Sequence, residues 1–118
     1  MVTIRGNNIT MNRSDSVFIT VTIRDQQGNP YELRDGDVLY FAAKKKATDL
    51  DYAIAPKKLI GDVLEITTAD TEFLDFGTYS YDVKLVDNKG YISTVISPSN
   101  LILTDSMTSI GDNNARYN

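Results

Sequence analysis

The chain contains no cysteine, no histidine and no tryptophan. Without cysteine there is no disulfide to staple the fold and no thiolate to hold a soft metal; without histidine the commonest general base and imidazole ligand are missing too. Its serines therefore lack the partner of a Ser-His pair, and neither a Ser-x-x-Lys nor a Gly-x-Ser-x-Gly pattern supplies another base. The longest apolar runs, such as Val38-Leu39-Tyr40-Phe41-Ala42-Ala43, fall far short of the roughly 20 residues that span a bilayer. Met1 to Gly6 lacks the apolar stretch of a signal peptide. The expectation is a protein made in a cytoplasm and not sent through a membrane by its own sequence. An excess of basic charge is also absent: sixteen acids against twelve bases give −4, which argues against a general nucleic-acid binder and favours solubility.

What the chain does have is alternation. Thr78, Ser80, Asp82 and Lys84 alternate with Tyr79, Tyr81, Val83 and Leu85, and Val86-Asp87-Asn88-Lys89-Gly90 then turns into Tyr91-Ile92. Side chains of a strand point to opposite faces with a period of two, so this is a half-buried strand entering a hairpin. Asn8 to Met11 reads as a short first strand, with Asn12 to Asp15 as its turn. Ser16 to Arg24 reads as one long strand with Val17, Ile19, Val21 and Ile23 toward the core and Phe18 on the other face. Asp25 to Pro30 is a turn, since Gly28 tolerates positive φ and Pro30 cannot join a central ladder. A short edge piece at Tyr31 leads through a second turn at Asp35-Gly36-Asp37 to a strand over Val38 to Lys45. In that strand Leu39, Phe41 and Ala43 share a face, and Tyr40 makes its other face apolar as well, as in a strand covered on both sides.

Lys44 to Asp51 reads as a loop. Tyr52 to Ala55 is a brief strand that Pro56 breaks, and Val63 to Ile66 is another, with Leu64 and Ile66 inward. Thr67 to Leu74 is the one helical candidate, capped by Thr67 or Thr68, with Asp70 and Glu72 at its positive end and Phe73 and Leu74 seating it on the sheets. Tyr91 to Ile96 pairs back, Pro98 interrupts, and Leu101 to Leu103 is the last strand. About seven strands joined by Gly, Pro, Asn and Asp turns favour an all-β, antiparallel, immunoglobulin-like β-sandwich with at most one short helix. Residues 1–104 form this domain, which at its size buries roughly two thirds of the surface of the unfolded chain. Residues 105–118, with Met107, Ile110 and Tyr117 as their large apolar members, are a free tail or a docking arm.

No catalytic, cofactor-binding or metal-ligating set emerges. Asp35-x-Asp37 and Asp49-x-Asp51 pair carboxylates in loops where a hard cation could sit, but the further alternation and the Glu of an EF-hand loop are missing, and turn acids are the simpler reading. Lys44-Lys45-Lys46 and Lys57-Lys58 suit exposed loop and edge charges that discourage unwanted strand addition. Tyr79 and Tyr81 belong to the core row, which leaves Tyr31, Tyr40, Tyr52 and Tyr91 as candidates for contact with another protein chain.

The order of segments carries a resemblance. Asp25-x-x-Gly28-Asn29-Pro30-Tyr31-Glu32-Leu33, then Gly36-Asp37-x-x-x-Tyr40-Phe41-Ala42-Ala43-Lys44-Lys45, then Leu64-x-Ile66 and the Thr-Ala-Asp-Thr turn come first. Gly77-Thr78-Tyr79-x-Tyr81-Asp82-Val83-x-Leu85, Asp87-x-x-Gly90 and Ser93-Thr94 follow. Over about residues 8 to 104 this resembles the N-terminal domains of baseplate upper proteins and related small virion proteins of phages and prophages of Gram-positive bacteria. The resemblance implies a non-enzymatic structural protein without cofactor, located in the virion after assembly in the bacterial host cytoplasm. It implies partners among other virion proteins and symmetric homo-oligomeric copies, with no nucleic acid and no membrane. The chain ends soon after the domain, without the long linker or receptor-facing domain of the larger baseplate proteins, so a tail, baseplate or head accessory or adaptor is the expectation. The alternative is an immunoglobulin-like adhesion or carbohydrate-binding module.

Overall fold

A computed structural model of the protein describes residues 2–25 and 27–105. Over these residues it is a β protein with one short helix. The strands are β1 (Thr3–Arg5), β2 (Asn8–Asn12), β3 (Val17–Thr20), β4 (Ile23–Arg24), β5 (Pro30–Tyr31), β6 (Val38–Lys44), β7 (Ile54–Lys58), β8 (Val63–Ile66), β9 (Gly77–Val86) and β10 (Ile92–Thr104); helix α1 (Thr68–Thr71) lies between β8 and β9. Six of them form one sheet in the order β1-β2-β10-β9-β6-β7, while β3 pairs with β8 and β4 with β5 in two small antiparallel ladders. The large sheet is mixed and not antiparallel throughout: β2 and β10 run parallel from Leu101 opposite Ile9 to Thr104 opposite Asn12. A parallel pair needs no local hairpin, and here the whole domain serves as its crossover.

Alternation decides which face is covered. Leu39, Phe41 and Ala43 of β6 and Tyr79, Tyr81, Val83 and Leu85 of β9 are buried on one side, together with Ile9, Met11, Leu101 and Leu103. They form a single cluster with Val17, Ile19, Val21, Ile23, Leu64 and Ile66 from the small ladders and the chain between them. Ring packing contributes at the centre, where the Phe41 and Tyr81 centroids lie 5.4 Å apart at 38°.

Several expectations require correction. The row from Val17 to Ile23 is buried as its period demands, but the chain leaves the β3–β8 ladder after Thr20. The Val21 N–H donates to the Asp62 carbonyl over 2.8 Å before pairing resumes in β4. Pro56 does not break its strand: β7 is an edge strand, and the ladder skips a residue there, passing from Phe41 opposite Lys57 to Ala43 opposite Ile54. Proline is tolerated at such a bulge because no ladder donor is needed from it. Pro98 likewise sits inside the continuous β10, beside register shifts between Thr94 and Ile96 and between Ile96 and Ser99. Strand β1 carries no signal longer than Thr3-Ile4-Arg5 and was not expected at all.

The helix is shorter than the sequence suggests, and Phe73, expected to seat it, is 85% exposed. Thr71 is fully buried in its place, and Leu74 is half-buried against the core. Of the expected tail 105–118, Asp105 is exposed and residues 106–118 lie outside the described residues.

Candidate functional site

The side of the large sheet away from the core holds the candidate site. Successive outward residues are Tyr40, Ala42 and Lys44 on β6 and Lys84, Asp82 and Ser80 on β9, and the ladder sets each opposite its partner in that order. Directly opposed residues of an antiparallel pair share a face. Ala42 is the smallest of these side chains and leaves a hollow between its neighbours. The loop after β6 borders that hollow with Ala47 and Tyr52, and Pro56 and Pro98 stand at its sides, enclosing about 210 Å³. This explains why Tyr40, Ala42 and Lys44 are half-buried, as a strand covered on both sides requires.

Charge is concentrated here. Lys58 of β7 lies opposite Tyr40 on its free side, so Tyr40 stands between Lys58 and Lys84 in adjacent strands. Lys44 places its Nζ 4.9 Å from the Tyr52 ring centre, within the range of a cation–π contact. Among the described residues, none of Lys44, Lys58, Lys84 and Asp82 makes an ion pair.

The other basic and acidic residues singled out by sequence are committed elsewhere. Lys45 lies over Tyr79 at 4.5 Å. Lys57 donates to Asp70 over 2.6 Å, and Asp70 also accepts the Thr67 N–H over 2.8 Å. Partial burial works to raise the Asp70 pKa, but these hydrogen bonds and the lysine charge outweigh it and hold the carboxyl below its usual value. In Asp35-x-Asp37, Asp37 accepts the Tyr31 hydroxyl over 2.7 Å and the Arg34 N–H over 2.9 Å; the phenol bond is the main reason its pKa is lowered. In Asp49-x-Asp51, Asp49 accepts the Lys46 N–H over 3.1 Å, while Asp51 is exposed. Among the described residues no group of three or more acids is placed to hold a metal ion.

Of the four candidate contact tyrosines, the structure brings together Tyr40 and Tyr52, and leaves Tyr31 on the Asp37 turn and Tyr91 exposed at the β9–β10 hairpin. Tyr79 and Tyr81 are buried as expected; Tyr79 donates to the Asp75 carbonyl over 2.8 Å and Tyr81 to that of Asn7. Burial raises both pKa values. The grouping of Lys44, Lys84 and Asp82 with Ala42, and of Lys58 beside Tyr40 on the same face, is not evident from the sequence. Its signal lay in the outward phase of β6 and β9, but the pairing of these strands is a non-local fact.

Compared with known protein families and with curated proteins, the chain matches none.

Proposed function

We propose that this chain is a non-enzymatic structural protein acting through protein–protein contacts, a tail, baseplate or head accessory or adaptor component of a phage or prophage virion, on an immunoglobulin-like sandwich. The observation that carries the protein-contact part is the set of large apolar side chains left in water at turns and strand ends, among them Leu50 at 95%, Tyr91 at 70% and Ile92 at 66% exposure. Single exposed apolar residues are ordinary, but Tyr91 and Ile92 are adjacent, and they open the part of β10 that pairs only with β9. That edge leaves one side of a strand open to pairing by a neighbour. Support for the virion part is the resemblance, whose segments fall on the β4–β5 turn, the end of β6 and the opening of β9. Symmetric copies and virion partners belong to the same reading, each stable contact requiring above about 1,000 Å² of buried surface.

Quantitative mass spectrometry of particles purified from the induced host tests it. A ratio to the capsid and tail-tube proteins matching a small symmetric ring supports a baseplate or neck position, and hundreds of copies support decoration. Absence from washed particles would move the adhesion or carbohydrate-binding reading to first place; that reading rests on Tyr40 and Tyr52 at the groove, and glycan-array binding by the isolated domain is its test.

A further inference from the structure

We infer that the groove over Ala42 is a docking site for an acidic segment of a partner protein, an inference that rests on the protein-contact reading above. The chain as a whole carries −4, yet this face carries Lys44 and Lys84 at the hollow and Lys58 beside Tyr40, against one carboxylate, Asp82. None of the four is neutralised by an ion pair among the described residues. A basic hollow on an acidic molecule is complementary to negative charge, and such complementarity steers encounter and selects partners.

The donors present are those that this protein uses for carboxylates elsewhere. Its Tyr31 hydroxyl donates to Asp37 over 2.7 Å and its Lys57 ammonium to Asp70 over 2.6 Å. At the groove the same residue types, Tyr40 and Tyr52 with Lys44 and Lys84, line the hollow together with Ala42. About 210 Å³ accepts one or two side chains and lies below the roughly 300 Å³ where sites for drug-sized molecules begin. A stacked sugar fits less well, because Lys44 already occupies a position over the Tyr52 ring. Asp82 adds orientation: it repels a carboxylate placed directly over it and accepts a backbone or hydroxyl donor, so the acidic side chains belong beside Tyr40 or Tyr52.

The test titrates the ¹⁵N-labelled domain with a synthetic peptide of alternating Glu and Asp, with oligogalacturonate and with inorganic phosphate as separate probes. Expected are amide shifts confined to residues 40–44 and 80–84 on adding the peptide. The Lys44→Gln/Lys58→Gln/Lys84→Gln variant should bind it at least about tenfold more weakly, and the Arg5→Gln/Lys45→Gln/Lys89→Gln variant, with the same charge change elsewhere, within about twofold of the parent. Shifts spread over the surface, equal loss in both variants, or equal response to phosphate would overturn the inference, as would oligogalacturonate moving these amides where the peptide does not. Particle incorporation separates this from the broader reading. Parent and groove variant incorporating equally well would sink the groove and leave the virion assignment standing; absence of the parent from particles would sink the virion assignment while groove-confined peptide binding still supported the groove.

Discussion

The backbone N–H of Ser14 donates to Oγ1 of Thr71 over 2.9 Å, and the Ser14 carbonyl accepts the Thr68 hydroxyl over 2.8 Å. Both polar groups of a residue with φ of +75° are thus taken by one turn of helix, which anchors the β2–β3 turn to α1. Thr71 is the one polar residue fully buried among those described. Thr71→Val keeps the shape and removes the acceptor, so urea unfolding should show a loss of about 1 to 2 kcal/mol. Thr71→Ser keeps the oxygen and should lose less. Equal midpoints for parent and Thr71→Val would mean that water reaches Ser14 and replaces the bond.

Asp70 ties the same helix to Lys57 of β7, and this link depends on pH. Its folded pKa lies below the ordinary 3.8, so its contribution is fully present above that value and is lost as pH falls through the folded pKa. Asp70→Asn should lower stability at neutral pH by about 1 kcal/mol or less, because the Lys57 pair is partly open to water. The gap between parent and variant should close as the pH is taken down from 5 toward about 2. A gap that stays constant across that range in urea titrations would show that the carboxylate charge plays no part.

Local alternation makes most of the covered face legible in the sequence. Val17, Ile19, Leu39, Phe41, Leu64, Ile66, Tyr79, Tyr81 and Val83 are all buried where a period of two puts them. What it misjudged were places where a non-local partner outweighs a local signal. Pro56 and Pro98 read as breaks because proline cannot donate to a ladder, yet each lies beside a register shift, where a ladder bond is already forfeited. Hydrophobicity sends Phe73 inward, but it lies beyond the four-residue helix, and two residues after the buried Thr71 a helical turn has carried the chain about 200° round, to the opposite side. The parallel β2–β10 contact and the groove share one cause: each joins strands far apart in the chain, which no local pattern encodes.

Gly36 and Gly28 both have φ near +85°, at +88° and +84°, but their surroundings differ. A Cβ at Gly36 would stand 2.7 Å from the Asn88 Cβ, whereas at Gly28 it would meet nothing within 4 Å. Each substitution to Ala carries the strain of a left-handed backbone, about 1 kcal/mol, and Gly36→Ala must in addition push apart the turns before β6 and after β9. Thermal denaturation should therefore rank Gly36→Ala below Gly28→Ala, by a further 1 kcal/mol or more. The reverse order would mean that the Asn88 turn moves freely, and that the Asn88 side-chain bond to the Asp35 carbonyl at 3.3 Å does not hold it.

Phe41 and Leu85 test where the core is least able to adjust. Phe41 is wholly buried in β6 between two paired strands and stacks beside Tyr81, while Leu85 keeps 8% of its surface in water near the hairpin end of β9. Removing a ring from a site fixed on both sides leaves a cavity that the neighbours cannot fill, so Phe41→Ala should cost about 3 to 5 kcal/mol. Leu85→Ala, close to an end that can relax, should fall toward the lower part of its range, about 2 kcal/mol. Urea midpoints at constant slope provide the comparison. A larger loss at Leu85 than at Phe41 would shift the centre of the core from the β6–β9 pair toward the hairpin, the end from which Tyr91 and Ile92 project.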